Sequence, residues 1–263
     1  MRPVYFIGAG PGDPELLTIK GRRLLDEAEV IVYAGSLVNP ALLPEEQKQK
    51  SEKRKRELYD SAGMTLEETT SVLREAALAG RMAVRLHSGD ISFYSAAAEQ
   101  MALLEKDGID CVVVPGVSSL GAGAAALGAE LTIPEVSQTV IVTRMAGRTP
   151  VPPAESIAAL AAHKSTMVIF LSAGMMEGVV SGLLEGGYAP LTPAAVVERA
   201  SWPEERVITG SLEDIASKAK EAGIQKTALI FVGEALSRGD ALRRSRLYSG
   251  DFSHGYRKSD SQK

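Results

Sequence analysis

The chain opens on four consecutive apolar residues, Val4-Tyr5-Phe6-Ile7, and breaks at once into Gly8-Ala9-Gly10-Pro11-Gly12-Asp13. An unbroken apolar run predicts a short strand buried on both faces, and the glycines predict a tight turn after it. Leu17, Leu24, Leu25 and Ala28 then recur at helical spacing, with Asp13 and Thr18 as alternative caps. Val30-Ile31-Val32-Tyr33 is the next strand. Thr65-Leu66-Glu67-Glu68 is a capping box for a helix that Gly80 ends. Ala83 to Leu86 predicts a strand, Ser88-Gly89-Asp90 a turn, and Ser95 to Lys106 a helix stopped by Gly108. Val112 to Val114 predicts a strand closed by Pro115-Gly116, followed by a small-residue helix from about Ser118 to Leu127.

The second half repeats the alternation without a fixed-period repeat. Strands are expected at 140–142, 167–170, 195–197, 206–208 and 229–232, and helices at about 154–162, 175–184 and 212–222. Ser211 is expected to cap the last helix, with Asp214 at its third position. Strands alternating with helices indicate α/β architecture with mostly parallel sheets covered on both faces. Leu131-Thr132-Ile133-Pro134-Glu135 reads as a connector. The expected organisation is therefore an α/β domain over 1–134, a second over 135–240, and a polar tail over 241–263. The segment from Leu42 to Glu57 is polar, with Lys50, Lys53, Arg54, Lys55 and Arg56 close together. It reads as a solvated helix or loop, or as a patch that steers an anionic substrate.

Composition narrows the function. The 263 residues carry 29 basic and 33 acidic side chains, a net charge of −4, so no general affinity for nucleic acid is expected. A single cysteine, Cys111, leaves no internal disulfide and fits a cytoplasmic protein. The longest uncharged stretch lies between Asp110 and Glu130. Pro115-Gly116 breaks it and small polar residues dilute it, so a membrane span is not expected.

In parallel sheets the ligand sits beyond the carboxyl ends of the strands, so the turns after strands are the places to look. Three such turns stand out. Gly8 to Asp13 lets backbone amides approach a ligand closely. His87-Ser88-Gly89-Asp90 offers a carboxylate beside a glycine. Pro115-Gly116-Val117-Ser118-Ser119 offers small hydroxyls at a helix start. Each alone also reads as a plain turn or a cap, but three turns ending three strands of one sheet should lie together. The first turn departs from a dinucleotide fingerprint: its sixth position is Asp13, Pro11 lacks an amide N–H, and Ala34-Gly35 supply no ribose carboxylate. No Walker lysine and no G-x-S-x-G elbow occurs. His87, His163 and His254 lack ligand spacing, so no metal is expected, and Cys111 reads as a core residue. Arg144 and Arg148 lie where guanidinium forks would suit carboxylate binding, or else in surface loops.

Taken in order, VYFIGAGPGDPELLTIKGRRLL, VYAGSLVNPALL, YDSAGMTLEE, the GD turn with AEQM, PGVSS, ELTIPEVSQTVIVTR, GRTPVP and RASWPEE span nearly the whole chain. On these segments the chain resembles the tetrapyrrole (corrin/porphyrin) methylases. YAGSLVNP, DSAGMTLEE, ELTIPEVSQT and GRTP are most similar to the subgroup acting at ring carbon 11 of precorrin-4 or cobalt-precorrin-4. The resemblance implies two α/β domains with S-adenosyl-L-methionine in the cleft between them, S-adenosyl-L-homocysteine as product, and a homodimer. It implies cofactor contacts at Pro11, Ser88, Gly89, Asp90, Phe93, Ser118 and Ser119. From the second half it implies Leu171, Ala200 and Ala228, acting through backbone atoms. Arg144 and Arg148 are the first candidates for the substrate's acetate and propionate groups, with Arg85 and Arg199 behind them. No catalytic base is assigned. The alternatives are a tetrapyrrole methylase of another ring position and a non-catalytic module that binds an adenosyl ligand.

One departure carries an expectation of its own. The family pattern G-D-P-S-hydrophobic-Y-G is Gly89-Asp90-Ile91-Ser92-Phe93-Tyr94-Ser95 here. Ile91 in place of proline should free the turn. A Cβ at Ser95 should crowd it or demand another dihedral, with an effect on cofactor affinity.

Overall fold

The computed structural model describes residues 1–43, 56–237, 253, 255 and 256. The charged cluster from Lys50 to Lys55, His254 and nearly all of the tail lie outside the described residues. Two compact units emerge: Met1–Gly123 together with Arg199–Glu205, and a second that starts at Ala124, runs to Glu198 and resumes at Arg206.

In the first unit β1 (Val4–Gly8), α1 (Ile19–Glu27), β2 (Val30–Tyr33), β3 (Glu57–Asp60), α2 (Leu66–Leu78), β4 (Ala83–His87), α3 (Ala97–Lys106) and β5 (Cys111–Val114) follow in order, and α4 (Ser119–Leu127) crosses from one unit to the next. The strands form one sheet in the order β3-β2-β4-β1-β5, every pairing parallel. Both faces are covered, which is why β1 and β2 carry unbroken apolar runs and β4 is apolar apart from the buried Arg85 and His87. Val4, Phe6, Val30, Val32 and Ala83 pack with Leu73 and Ala77 of α2 and Leu104 of α3. Ile7, Ile31, Val84 and Leu86 pack on the other face with Leu24 and Leu25 of α1. The period of two along each strand sorts the residues into these two layers.

Local chemistry sets the helix starts. Asp13 and Thr18 are both used: Asp13 caps a 3-10 turn over Pro14–Leu16, and Thr18 caps α1. The Thr65–Glu68 capping box is complete. The helix expected from Ser95 begins instead at Ala97, because Ala96 holds a left-handed φ of 52° that no helix can include.

The second unit contains β6 (Val140–Arg144), α5 (Ile157–Ala161), β7 (Thr166–Phe170), α6 (Met176–Glu185), β8 (Pro193–Glu198), β9 (Arg206–Ser211), α7 (Ile215–Glu221) and β10 (Ala228–Val232). Its sheet runs β6-β7-β10-β8-β9. Here the expected parallel sheet is corrected: only β6 pairs parallel with its neighbour, while β7–β10, β10–β8 and β8–β9 are antiparallel. The cause is one connection. Residues 199–205 between β8 and β9 are too few for a crossover, which needs a dozen or more, so the chain turns back as a hairpin. The α7 crossover then carries that reversed direction into β10. A second correction concerns α7, which begins at Ile215. Ser211 ends β9 and its backbone N–H donates to the Asp214 carboxylate at 2.8 Å, rather than its side chain capping the helix. No described helix is long and apolar enough to cross a membrane.

Candidate functional site

The order β4-β1-β5 puts the three glycine-containing turns side by side at one edge of the first sheet. They are interlocked. The Ala9 N–H donates to the His87 carbonyl at 2.6 Å. Gly10 and Gly89 exchange two backbone hydrogen bonds, at 3.2 and 2.8 Å, each glycine at positive φ. A Cβ on Gly8 would lie 2.6 Å from both Gly116 N and Gly89 O, so only glycine allows the backbones this close. The expectation that the turns lie together therefore holds, through backbone contact rather than mere adjacency.

Asp90 is the bracket across this contact. One carboxylate oxygen accepts the Gly116 N–H at 2.9 Å and the other accepts the Ser92 N–H at 2.9 Å. Burial pushes its pKa up, but hydrogen bonds from Ser92, Gly116 and Ile91 outweigh that and hold it below the ordinary carboxylate range. The carboxylate thus spends its first acceptor sites on shaping the turns. Around it, Ser88 is half-buried and Phe93 is 37% exposed. Among the described residues a Cβ on Gly89 would meet only Ser119 N, at 3.8 Å, which leaves room above the glycine. Ser118 accepts the Leu120 N–H and so acts as a cap, and Ser119 is the half-buried first residue of α4. The surface is made of backbone, hydroxyls, one aromatic ring and the Asp90 carboxylate, with no lysine among these positions. It suits a hydrogen-bonding group without phosphate charge, such as an adenosine moiety.

The turn variant resolves differently from the expectation. Ile91 is only 8% exposed and joins the apolar cluster beneath the sheet. Burial fixes the turn where a proline ring would otherwise do so. Ser95 is not among the residues at positive φ; Tyr94 and Ala96 on either side are, both at 52°. The Ser95 hydroxyl donates to the Ile91 carbonyl at 2.6 Å and accepts the Ala97 N–H at 3.3 Å, closing the turn onto α3. Its Cβ therefore brings a fastening hydroxyl rather than strain at that residue.

Beneath the turns lies a buried polar group set. Arg85 donates to Gln100 Oε1 at 2.9 Å and to the Val32 carbonyl at 3.3 Å, and burial lowers its pKa to about 10. His87 stacks on Phe6, and among the described residues its buried Nε2 has no hydrogen-bond partner. Arg85 is thus occupied inside the core and is removed as a substrate-binding candidate. Arg199 pairs with Glu204 and lies over the Trp202 ring.

In the second unit Leu171 follows β7 at φ 54° and is 68% exposed, while Ala228 opens β10 and is buried. The antiparallel pairing of β10 with β7 carries the start of one strand to the end of the other, so Leu171 and Ala228 occupy the same sheet edge. Ala200 lies in the Arg199–Glu205 segment that packs with the first unit and is 7% exposed. Arg144 turns its guanidinium inward on its own loop, donating to the carbonyls of Met145, Thr149 and Pro150. Arg148 is exposed.

Sequence reasoning missed three side chains that hold the first turn. Asn39 Nδ2 donates to the Gly12 carbonyl at 2.8 Å, Ser201 Oγ accepts the Asp13 N–H at 3.0 Å, and Trp202 Nε1 donates to the Pro11 carbonyl at 2.8 Å. The available signals were the segments YAGSLVNP and RASWPEE, which mark these positions without saying what they touch.

Comparison with known proteins gives the family of the chain. The family model of the Tetrapyrrole (Corrin/Porphyrin) Methylases matches residues 3–216. The cobalt-precorrin-4 C(11)-methyltransferase of Methanocaldococcus jannaschii is 53% identical over 258 residues, covering 98% of this chain and 97% of that protein. Among solved structures, a cobalamin biosynthetic enzyme, cobalt precorrin-4 methyltransferase, superposes with a TM-score of 0.84 at 44% identity, over 89% of this chain and 96% of that one. The uroporphyrin-III C-methyl transferase of Thermus thermophilus, complexed with S-adenosylhomocysteine, superposes with a TM-score of 0.72 at 32% identity, over 89% and 98%.

Proposed function

The chain belongs to the tetrapyrrole (corrin/porphyrin) methylases, and on that premise we propose that it is an S-adenosylmethionine-dependent C-methyltransferase of cobalamin biosynthesis that methylates precorrin-4 or cobalt-precorrin-4 at ring carbon 11. The observation that carries the substrate is the near full-length identity of 53% with a protein of that name. The geometry supports the cofactor, because the interlocked turns offer backbone groups and hydroxyls for hydrogen bonding, carry the Asp90 carboxylate, and have no Walker lysine or dinucleotide glycine fingerprint to hold phosphates. A cytoplasmic homodimer is the proposed form.

The cofactor supplies an already activated sulfonium methyl, so the chain's task is placement rather than covalent catalysis. The backbones of the first two turns, with Ser88, Ser118 and Ser119, bind and orient it. Asp90 acts chiefly by holding the Gly116 turn against the Gly89 turn. Leu171, Ala200 and Ala228 contribute backbone atoms. Of the two substrate arginines, Arg148 takes a substrate carboxylate. Arg144 shapes the loop that presents it, since its fork is already spent on loop carbonyls.

The test is calorimetric titration with S-adenosylhomocysteine, with NAD as control, followed by methyl transfer to precorrin-4 with and without cobalt. Saturable binding of the first ligand alone and a precorrin-5 product support the proposal. Binding without turnover on either substrate would indicate another ring position or a non-catalytic module. Arg148→Ala is expected to raise the KM for the tetrapyrrole about five- to tenfold, the worth of one charge-assisted contact. The dissociation constant for S-adenosylhomocysteine should not change.

A further inference from the structure

The Gly10–Asp13 turn carries two glycines in four residues, and a proline that has no N–H to donate. Such a turn loses much conformational entropy when it is ordered. A backbone that must receive a ligand binds tightly only if that ordering is done beforehand. The structure does it with side chains from elsewhere. Asn39 holds the Gly12 carbonyl, and both remaining fastenings come from one short segment about 190 positions downstream. Ser201 accepts the Asp13 N–H, and Trp202 donates to the Pro11 carbonyl. That segment is itself tightly wound. Arg199 and Ser201 sit at φ 49° and 67°, the Ser201 N–H donates to the Glu205 carboxylate at 2.6 Å, and the Trp202 N–H donates to the Arg199 carbonyl at 2.9 Å. The indole also fills the space beside Gly12. A Cβ there would lie 2.1 Å from Trp202 Cδ1 and 2.2 Å from Nε1, although Gly12 is not at positive φ. The glycine at 12 is thus required by the tryptophan, not by its own backbone angles.

We propose that Trp202 is a positioning residue for the cofactor turn: its indole N–H and ring hold Pro11 and Gly12 in the shape that receives the adenosyl ligand, so cofactor affinity is set from the β8–β9 connection. This rests on the cofactor reading above. Trp202 touches the turn rather than the reacting atoms, so its loss should appear in binding and not in turnover. As the chain's one tryptophan, it also reports on the turn through its own fluorescence.

The experiment is a set of calorimetric titrations with S-adenosylhomocysteine on the full chain. Trp202→Phe keeps a ring and loses the N–H. It is expected to weaken binding about tenfold, one hydrogen bond's worth of preorganisation, and to raise the KM for S-adenosylmethionine in parallel with kcat unchanged. Gly12→Ala is expected to weaken binding at least as much and to shift Trp202 emission as the indole is displaced. In a Trp202→Ala background the added methyl should cost little further, because its obstacle has gone. Wild-type affinity, within twofold, in Trp202→Phe overturns the proposal, as does additivity of Gly12→Ala and Trp202→Ala. If Trp202→Phe does not fold, Gly12→Ala alone decides, and wild-type affinity there overturns it equally. Absence of binding by the wild-type chain would instead remove the cofactor reading itself.

Discussion

Gly116→Ala is expected to abolish S-adenosylhomocysteine binding and to destabilise the fold by about 3 kcal/mol or more, at the upper end of what overpacking a well-packed interior costs. The added Cβ would lie 2.2 Å from the Gly89 carbonyl oxygen and 2.8 Å from the carbonyl carbon and Cα of Gly8. All of these are backbone atoms, so no side chain can swing aside. Relief requires moving one turn off another, which breaks the paired Gly10–Gly89 hydrogen bonds and the Gly116 N–H bond to Asp90. Asp90→Ala attacks the same contact from its other side. It leaves the Gly116 and Ser92 N–H groups without their acceptor, at about 1–3 kcal/mol for each that stays unsatisfied. Gly63→Ala is the matched control. Among the described residues nothing lies within 4 Å of its added methyl, and its φ is not positive. It should stay within about 0.5 kcal/mol of the parent. Urea unfolding and calorimetry read all three. A Gly116→Ala protein with wild-type midpoint and wild-type affinity would show that the turns do not meet as described.

Acidification from pH 7.5 to 5 should lower stability by about 2 kcal/mol through His87 alone. Burial, with a smaller contribution from the charge on Arg85, pushes its pKa from 6.5 down to about 3. The folded state therefore binds fewer protons than the unfolded chain. The histidine's contribution is fully present above the unfolded value near 6.5. It falls by about 1.4 kcal/mol per pH unit on the way down towards 3. Arg85 stays cationic across this window. Asp90, whose pKa is lowered, contributes a loss only below the ordinary carboxylate range, so the two are separable. His87→Phe keeps the stack on Phe6, removes the unpartnered Nε2 and should flatten the slope between pH 7.5 and 5. An unchanged slope in that variant would locate the acid sensitivity elsewhere.

Much of the architecture was legible because its causes are local. Apolar runs bounded by glycine marked the central strands, and caps at Asp13, Thr18 and Thr65 marked helix starts within a residue or two. The three turns could be named from their glycines and their places after strands. Their neighbourhood followed once they were assigned to one parallel sheet. β3 escaped notice because Glu57-Leu58-Tyr59-Asp60 is a four-residue edge strand with polar ends, which carries too little apolar pattern to stand out.

What the tertiary structure decided are the pairings between distant residues, for which a linear pattern holds no record. The direction of β9 and β10 depends on whether seven residues cross over or turn back, and the period of a strand is the same either way. Asp90 reads as a ligand carboxylate in the sequence, yet its first partner is a backbone N–H 26 positions away. Arg144 reads as a substrate contact, yet its fork closes its own loop. Trp202 lies 191 positions from the carbonyl it holds, and only the folded chain shows that it fastens the glycine-rich first turn. Residue type and spacing determine which element forms and what chemistry a side chain can offer; which neighbour uses that chemistry is settled by packing, because hydrogen bonds and close contacts depend on distance in space and not along the chain.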